Sequence, residues 1–226
     1  SIGTAGGDAS SGNVGTSQGV ELHDVTSSRN LTGFSYYAVG MLLFLLLYGT
    51  EYGSFGGMHE DFLGVVGKRT RLTLVKPWQQ YLGKLLAFSL VPFTQGAIYI
   101  GVTSQFFGVD WGQNLPLTLA FVYIFGVLAI ALGMTVMTMT RSERKTKGLL
   151  QVAILGSTFL AGGFVVAKFG PLELISPSYY AREGLFGLMF GETTRNALNY
   201  LGILGAITVV LAALFMLTSL ALALMR

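Results

Sequence analysis

Apolar residues run through this chain in long unbroken stretches, with little of the every-other-residue alternation of a half-buried strand. Five stretches approach or exceed the roughly 20 mainly apolar residues that a helix needs to cross a bilayer. They are Phe34–Phe55, Leu82–Phe107, Leu115–Thr140, Gly148–Phe169 and Asn199–Met225. Each is apolar on all sides, as a helix surrounded by lipid and other helices must be. Segments of a transmembrane β-barrel alternate over about 10 residues instead. The pattern therefore predicts an all-α polytopic membrane protein with five transmembrane helices in this chain.

The polar segments between these runs differ in character. Residues 1–32 are Gly/Ser-rich and polar, and read as a flexible segment. They carry no basic region followed by an apolar one, so they do not read as a signal peptide. The remainder, 33–226, reads as one transmembrane domain. The stretch "GVVGKRTRLTLVKPWQQYLGK" gathers Lys68, Arg69, Arg71, Lys76 and Lys84 with no acid. Glu60–Leu74 reads as a helix lying parallel to the membrane, with Leu63, Val66 and Leu72 toward the apolar side. Pro77 ends it and redirects the chain. Such a segment could anchor on anionic lipid, at about 1 kcal/mol per basic residue, or dock a protein partner. Between the fourth and fifth runs, Gly170–Arg195 is too polar to span. Ser176 is positioned to cap a short helix opened by Pro177, and Tyr179 and Tyr180 suit a membrane interface. This segment reads either as a helix dipping into that interface or as an amphipathic connector.

Composition sharpens the class. Only 11% of residues are charged, against about 25% in soluble domains. Most of the 14 Lys and Arg residues fall in the segments 55–84 and 141–147, "RSERKTK". By the positive-inside rule these face the cytoplasm. The N-terminal segment and the loop before the fifth run then face outside, and the C-terminus lies in the cytoplasm. The sequence pI of about 9.2 follows from those basic ends and implies no nucleic-acid partner. A chain that starts outside and has five spans fits a protein of six spans whose first span precedes this sequence, followed by an external domain that ends in residues 1–32.

The residues exclude several chemistries. There is no cysteine, hence no disulfide, thiolate metal site or Cys nucleophile. His23 and His59 fit no metal-ligand spacing, so no metal site is expected. A phosphate loop needs GxxxxGK followed by Ser or Thr. At Lys68 the first Gly is replaced by Phe62, and Arg69 follows the Lys, so this chain does not hydrolyse nucleotide by itself. No span holds the His or the Asp pair of an intramembrane hydrolase. Proton- or sodium-coupled transporters usually keep ionisable groups at mid-membrane. Here only Glu51 lies in a span, near its cytosolic end, where pairing with the basic loop accounts for it. Gln95, beside Pro92 and Thr94, is the most polar mid-span feature. It reads as an interhelical hydrogen bond or, with Thr94, as a pathway-lining residue. Small-residue pairs such as Ala129/Gly133, Gly187/Gly191 and Gly202/Ala206, with Gly126 and Gly162–Gly163, fit closely packed helices.

Three features carry a family resemblance. "FSYYAVGMLLFLLLYG" resembles a second span that follows an external domain. "EDFLGVVGKRTRLTLVKPWQQYLGKLL" resembles a cytosolic pattern of an acid, Gly/Thr, a basic-Leu pair, Pro and a Gly-Lys that opens the third span. Glu60, Thr70, Arg71, Leu72, Pro77, Gly83 and Lys84 occupy those places. "FGPLELISPSYYAREGLFGLMFG" resembles an external re-entrant helix pair. Together, over about Val20–Arg226, they resemble the permease subunit of the ABC-2 type of ABC transporter, in its six-span bacterial exporter form. The Pro77-to-Gly83 interval is shorter than the usual one.

The resemblance implies a multi-pass protein of the bacterial plasma membrane. It implies a second permease copy or homologue and a separate ABC ATPase subunit. Glu60, Lys68, Arg69, Thr70, Arg71, Leu72 and Pro77 would form the coupling helix that docks this ATPase. Pro177, Tyr179 and Tyr180 would belong to the external helices. No catalytic residue and no cofactor is implied. The expected function is outward movement of a drug, peptide or lipid-like substrate driven by ATP. A non-transporting scaffold or sensor anchored by its basic loop, or a secondary transporter, are the alternatives.

Overall fold

A computed structural model of the chain describes residues 33–59, 77–163, 170–190 and 194–224. All regular elements among them are helical. Helix α1 (Gly33–Leu47) continues through a short turn, α2 (Gly49–Glu51), into a π-helical segment, Tyr52–His59. Then come α3 (Pro77–Phe107), α4 (Leu115–Thr140) and α5 (Glu143–Leu160). A 3₁₀ turn (Gly170–Ile175), α6 (Pro177–Phe190) and α7 (Thr194–Leu224) complete the order.

Helix α4 sits at the centre and packs against every other helix except for lesser or no contact with the 3₁₀ turn. Its sequence has no charged residue, and buried positions run along nearly its whole length, from Thr118 to Thr138. Helix α1 presents one face to the core. Ala38, Val39, Leu42, Leu43, Leu46 and Leu47 are buried, while Phe34, Tyr37 and Met41 point outward. That spacing is the helical one.

Below Leu47 the sequence changes to Gly49, Gly53 and Gly57, four residues apart. This stretch meets Ala129, Ile130 and Gly133 of α4 so closely that backbones touch. A Cβ on Gly53 would run into the Ile130 carbonyl, and one on Gly133 would run into that of Thr50. Pro92, inside α3, packs into the same seam. Its ring lies where Cβ atoms on Gly49 and Gly126 would stand 3.4 and 3.2 Å away. The missing side chains leave room for the ring of this internal proline, which cannot donate a backbone hydrogen bond.

Among the described residues, four helices are long and apolar enough to cross a membrane: Phe34–His59, Trp78–Phe107, Leu115–Thr140 and Arg195–Thr218. The third matches the span read from sequence. The first reaches His59 instead of stopping at Phe55. The second begins at Pro77, five residues before the expected Leu82, because proline fits the first turn of a helix where its missing N–H costs nothing. Helix α5 differs from the expected Gly148–Phe169 span. It starts at Glu143, takes Arg144, Lys145 and Lys147 into its first turns, and ends at Leu160. Residues 164–169 lie outside the described ones. At 18 residues it is about 27 Å long.

The close seam makes a mutational test. Gly133→Leu should lower the stability of the purified protein by about 3 kcal/mol, the upper part of the range for overpacking, because the atom in its way is backbone. Gly202→Ala, where nothing lies within 4 Å, should leave the unfolding temperature nearly unchanged. Thermal unfolding in detergent, followed by size-exclusion chromatography, measures both.

Candidate functional site

The π-helical segment brings its last residues against two other elements. Lys84 of α3 donates from Nζ to the Gly57 carbonyl at 2.9 Å. His59 Nε2 lies 3.7 Å from Glu143 Oε2, at the start of α5. Lys147, one turn on, donates to Glu143 Oε1 at 2.9 Å and stands 5.1 Å from the centre of the Phe55 ring. The end of the first span is thus clasped by α3 on one side and by α5 on the other.

The α4–α5 turn that carries Glu143 is tightly built. Arg141 adopts a left-handed conformation, φ 49°, and its N–H donates to the Met137 carbonyl. Ser142 is extended, and its carbonyl accepts both the N–H and the hydroxyl of Thr146 at 2.9 Å. Thr146 also meets Thr140, hydroxyl to hydroxyl, at 2.5 Å. Two residues therefore reverse the chain, and hydroxyls hold the reversal.

The hydrogen bond from Lys147, and then its charge, hold the Glu143 carboxyl below the usual carboxylate range. The same bond raises the Lys147 ammonium, with a smaller contribution from the charge of Glu51. The acid in the first span therefore lies within the electrostatic reach of the second basic segment. These groups are open to solvent, so the contacts position the elements more than they stabilise them.

Gln95 of α3 donates from Nε2 to the Tyr52 hydroxyl at 3.1 Å, an interhelical bond to the π-helical segment. Its Oε1 is buried with no partner among the described residues. Thr94 is exposed, and its hydroxyl donates to the Leu90 carbonyl of its own helix at 2.8 Å. The two neighbours therefore spend their polar groups differently.

At the opposite end of the bundle, marked by Phe34 stacked on Phe107 at 4.9 Å, the 3₁₀ turn and α6 are tied to α5. Ser157 Oγ meets Ser176 Oγ at 2.8 Å and Ser178 Oγ at 2.7 Å. Ser176 also donates to the Ser157 carbonyl at 2.9 Å. Its hydroxyl thus turns across to α5 instead of acting as the helix cap expected from sequence. Pro177 opens α6 as expected. Tyr180 donates to the Leu174 carbonyl at 2.9 Å, and Tyr179 packs edge-on against Tyr180 and under the Arg182 guanidinium. Arg182 pairs with Glu183 at 2.8 Å and donates to the Ala161 carbonyl.

Of the coupling residues expected from sequence, Glu60, Lys68, Arg69, Thr70, Arg71 and Leu72 lie outside the described residues. Pro77 is the first residue of α3. Sequence reasoning missed the clasp of His59 by Glu143 and of Gly57 by Lys84. A spacing of four residues between Glu143 and Lys147, as in a helical ion pair, is the signal that could have found part of it. No group of His, Asp and Glu able to hold a metal occurs among the described residues.

The depressed Glu143 acid has a measurable consequence. Its folded value lies below its unfolded one, so its contribution is complete above the unfolded value and is lost as pH falls through the folded one. A carbon-13 titration of labelled Glu143 should give a value below the ordinary one of about 4.3. Lys147→Met should raise it toward that figure. An unchanged titration in Lys147→Met would remove the lysine as the cause.

A family model described as "ABC-2 family transporter protein" matches residues 7–217, nearly the whole chain. No curated protein and no solved structure matches it. With helices long and apolar enough to cross a membrane several times, this chain belongs to the ABC-2 family of transporter proteins, as a multi-pass membrane component of transport.

Proposed function

We propose that this chain is the transmembrane permease subunit of an ATP-driven exporter that moves a drug, peptide or lipid-like substrate outward. The observation that carries the reading is the family match over residues 7–217. The charge inventory supports an external energy source. Helix α4 has no acidic or basic side chain, and in the transmembrane part of α3 the one such side chain is Lys84, near its start. In the first span Glu51 and His59 both lie toward the end. A mid-membrane proton or sodium relay would need more than this.

The energy then comes from a separate ABC ATPase chain docked on the basic segment, through Glu60, Lys68, Arg69, Thr70, Arg71, Leu72 and Pro77. The clasp of His59 and Gly57 supports that placement, since it holds the residues leading into this segment. The basic side faces the cytoplasm, where its lysines and arginines also meet anionic lipid headgroups. Helix α5 makes a fifth crossing. It buries Thr146 and Thr158 and turns Leu149, Val152, Leu155 and Phe159 outward, an arrangement suited to lipid. A second permease copy or homologue completes the transporter. The apolar faces of α3 and α7, with nothing among the described residues within 4 Å of a Cβ at Gly83, Gly101, Gly202 or Gly205, are the surfaces available to it. Gln95 and Thr94 border the pathway, and Pro177, Tyr179 and Tyr180 belong to external helices that dip into the interface.

The test is co-purification of the chain with its ATPase from a cell producing both. Arg69→Glu together with Arg71→Glu should reduce the bound ATPase and the transport rate by about tenfold or more, because like charges placed at an interface cost several kcal/mol. Full association and full transport in that variant would overturn the docking assignment. A purified chain that binds no ATPase at all would overturn the ATP-driven reading.

A further inference from the structure

Helix α5 is built differently from its neighbours. It is bounded at both ends by residues in the left-handed conformation, Arg141 at φ 49° and Gly162 at φ 68°. Between them 18 residues form one uninterrupted helix. Its C-terminal end is closed by two backbone bonds, from Gly163 N–H to the Thr158 carbonyl and from Gly162 N–H to the Phe159 carbonyl, both 2.9 Å. This is the Schellman arrangement, which needs a residue at positive φ where glycine now stands. A rigid helix between two such terminal positions has the form of a link between hinges, because element-terminal residues absorb most of the φ/ψ change when packed elements move.

The attachments lie mainly at the ends. At the first end Glu143 holds His59 of the π-helical segment, and Lys147 stands over Phe55. At the other end Ser157 bonds to Ser176 and Ser178, and the Ala161 carbonyl accepts Arg182 of α6. The Gly162 carbonyl accepts the Tyr36 hydroxyl of α1 at 2.7 Å, and Gly163 lies against Gly40. In between, the buried row is Thr146, Leu150, Ile154 and Thr158, only two of them apolar. The outer row is open, with Val152 72% exposed. Slippage of such a thinly held middle disturbs few contacts, whereas displacement of the far end pulls on directional hydrogen bonds and displacement of the first end acts on the His59–Glu143 ion contact.

We infer that α5 is a strut that carries displacement of the first span's His59 end to the 3₁₀ turn and α6 at the opposite end of the bundle, with Glu143 and Ser157 as its positioning residues. The inference rests on the ATP-driven reading above, since the ATPase would displace the segment that follows His59. It assigns roles to residues that touch neither nucleotide nor cargo. Force enters at Glu143 and leaves at Ser157, about 21 Å further along the helix at 1.5 Å per residue.

The chain contains no cysteine, so pairs of spin labels can be placed without background. One pair, Leu172→Cys with Phe106→Cys, reads the far end. The other, Lys145→Cys with Trp78→Cys, reads the His59 end. All four positions are exposed. The full complex with its ATPase is measured in lipid nanodiscs, nucleotide-free and with ATP trapped. In the parent both distances should change. Ser157→Ala with Ser176→Ala should abolish the change at the far end, while the change at the His59 end and ATP hydrolysis persist. Ser157→Thr, which keeps a hydroxyl, should retain the far-end change. Glu143→Gln should diminish the far-end change as well. A far-end change of parental size in the double-alanine variant would overturn the strut and leave the ATP-driven reading standing. Absence of any nucleotide-dependent change in the parent would overturn both.

Discussion

The contact between the first span and α4 is the one on which the rest of the bundle depends. In a membrane, lipid is as apolar as leucine, so helices gain little from hiding apolar side chains against one another. They associate through close packing and interhelical hydrogen bonds. Gly53 against Ile130 and Gly133 against Thr50 let two backbones touch, which maximises the dispersion contacts over a short length. Because α4 also contacts the other helices, this seam fixes the depth and rotation of the first span relative to most of the fold. Pro92 of α3 enters the same seam, so the placement of α3 is tied to it too.

The register of that seam decides what happens at the end of the first span. With Gly53 and Gly57 held against α4, the following residues project toward α3 and the α4–α5 turn. Lys84 then reaches the Gly57 carbonyl, and His59 comes within reach of Glu143. The segment is π-helical here, a form otherwise rare and often found at functional positions. Its wider turn accompanies the row of glycines. A polar clasp of this kind contributes little energy in water, but it gives direction to the segment that enters the basic stretch.

Much of the fold was legible because a membrane span is a statement about composition. The run Leu115–Thr140 was read to its exact ends, since Pro116 and the charged "RSERKTK" bound it without ambiguity. The other ends shifted where polarity and helix geometry disagree. Gly56, Gly57 and His59 look like loop, yet they stay helical because the glycines are the contact surface. Gln79 and Gln80 look like loop, yet α3 already runs through them from Pro77. The pairs Ala129/Gly133 and Gly126 pointed to close packing correctly, while the more extensive row Gly49, Gly53 and Gly57 passed unnoticed within a segment read partly as loop. Gly202 and Gly205 show the converse, small residues that meet nothing within 4 Å among the described residues.

By itself the sequence determined the class, the helical architecture, most of the spans and the family. These follow from runs of apolar residues and from local order, which are properties of neighbours along the chain. It also offered an interhelical hydrogen bond as one of two readings of Gln95, because a lone amide inside an apolar helix has few other outlets. Only the tertiary structure decided which partner each polar group took. Gln95 found Tyr52, Ser176 found Ser157 instead of its own helix end, and His59 found Glu143, 84 positions away in the chain. Such pairings depend on the rotation and depth of whole helices, and those are set by backbone contacts at glycines that carry no side chain to announce them.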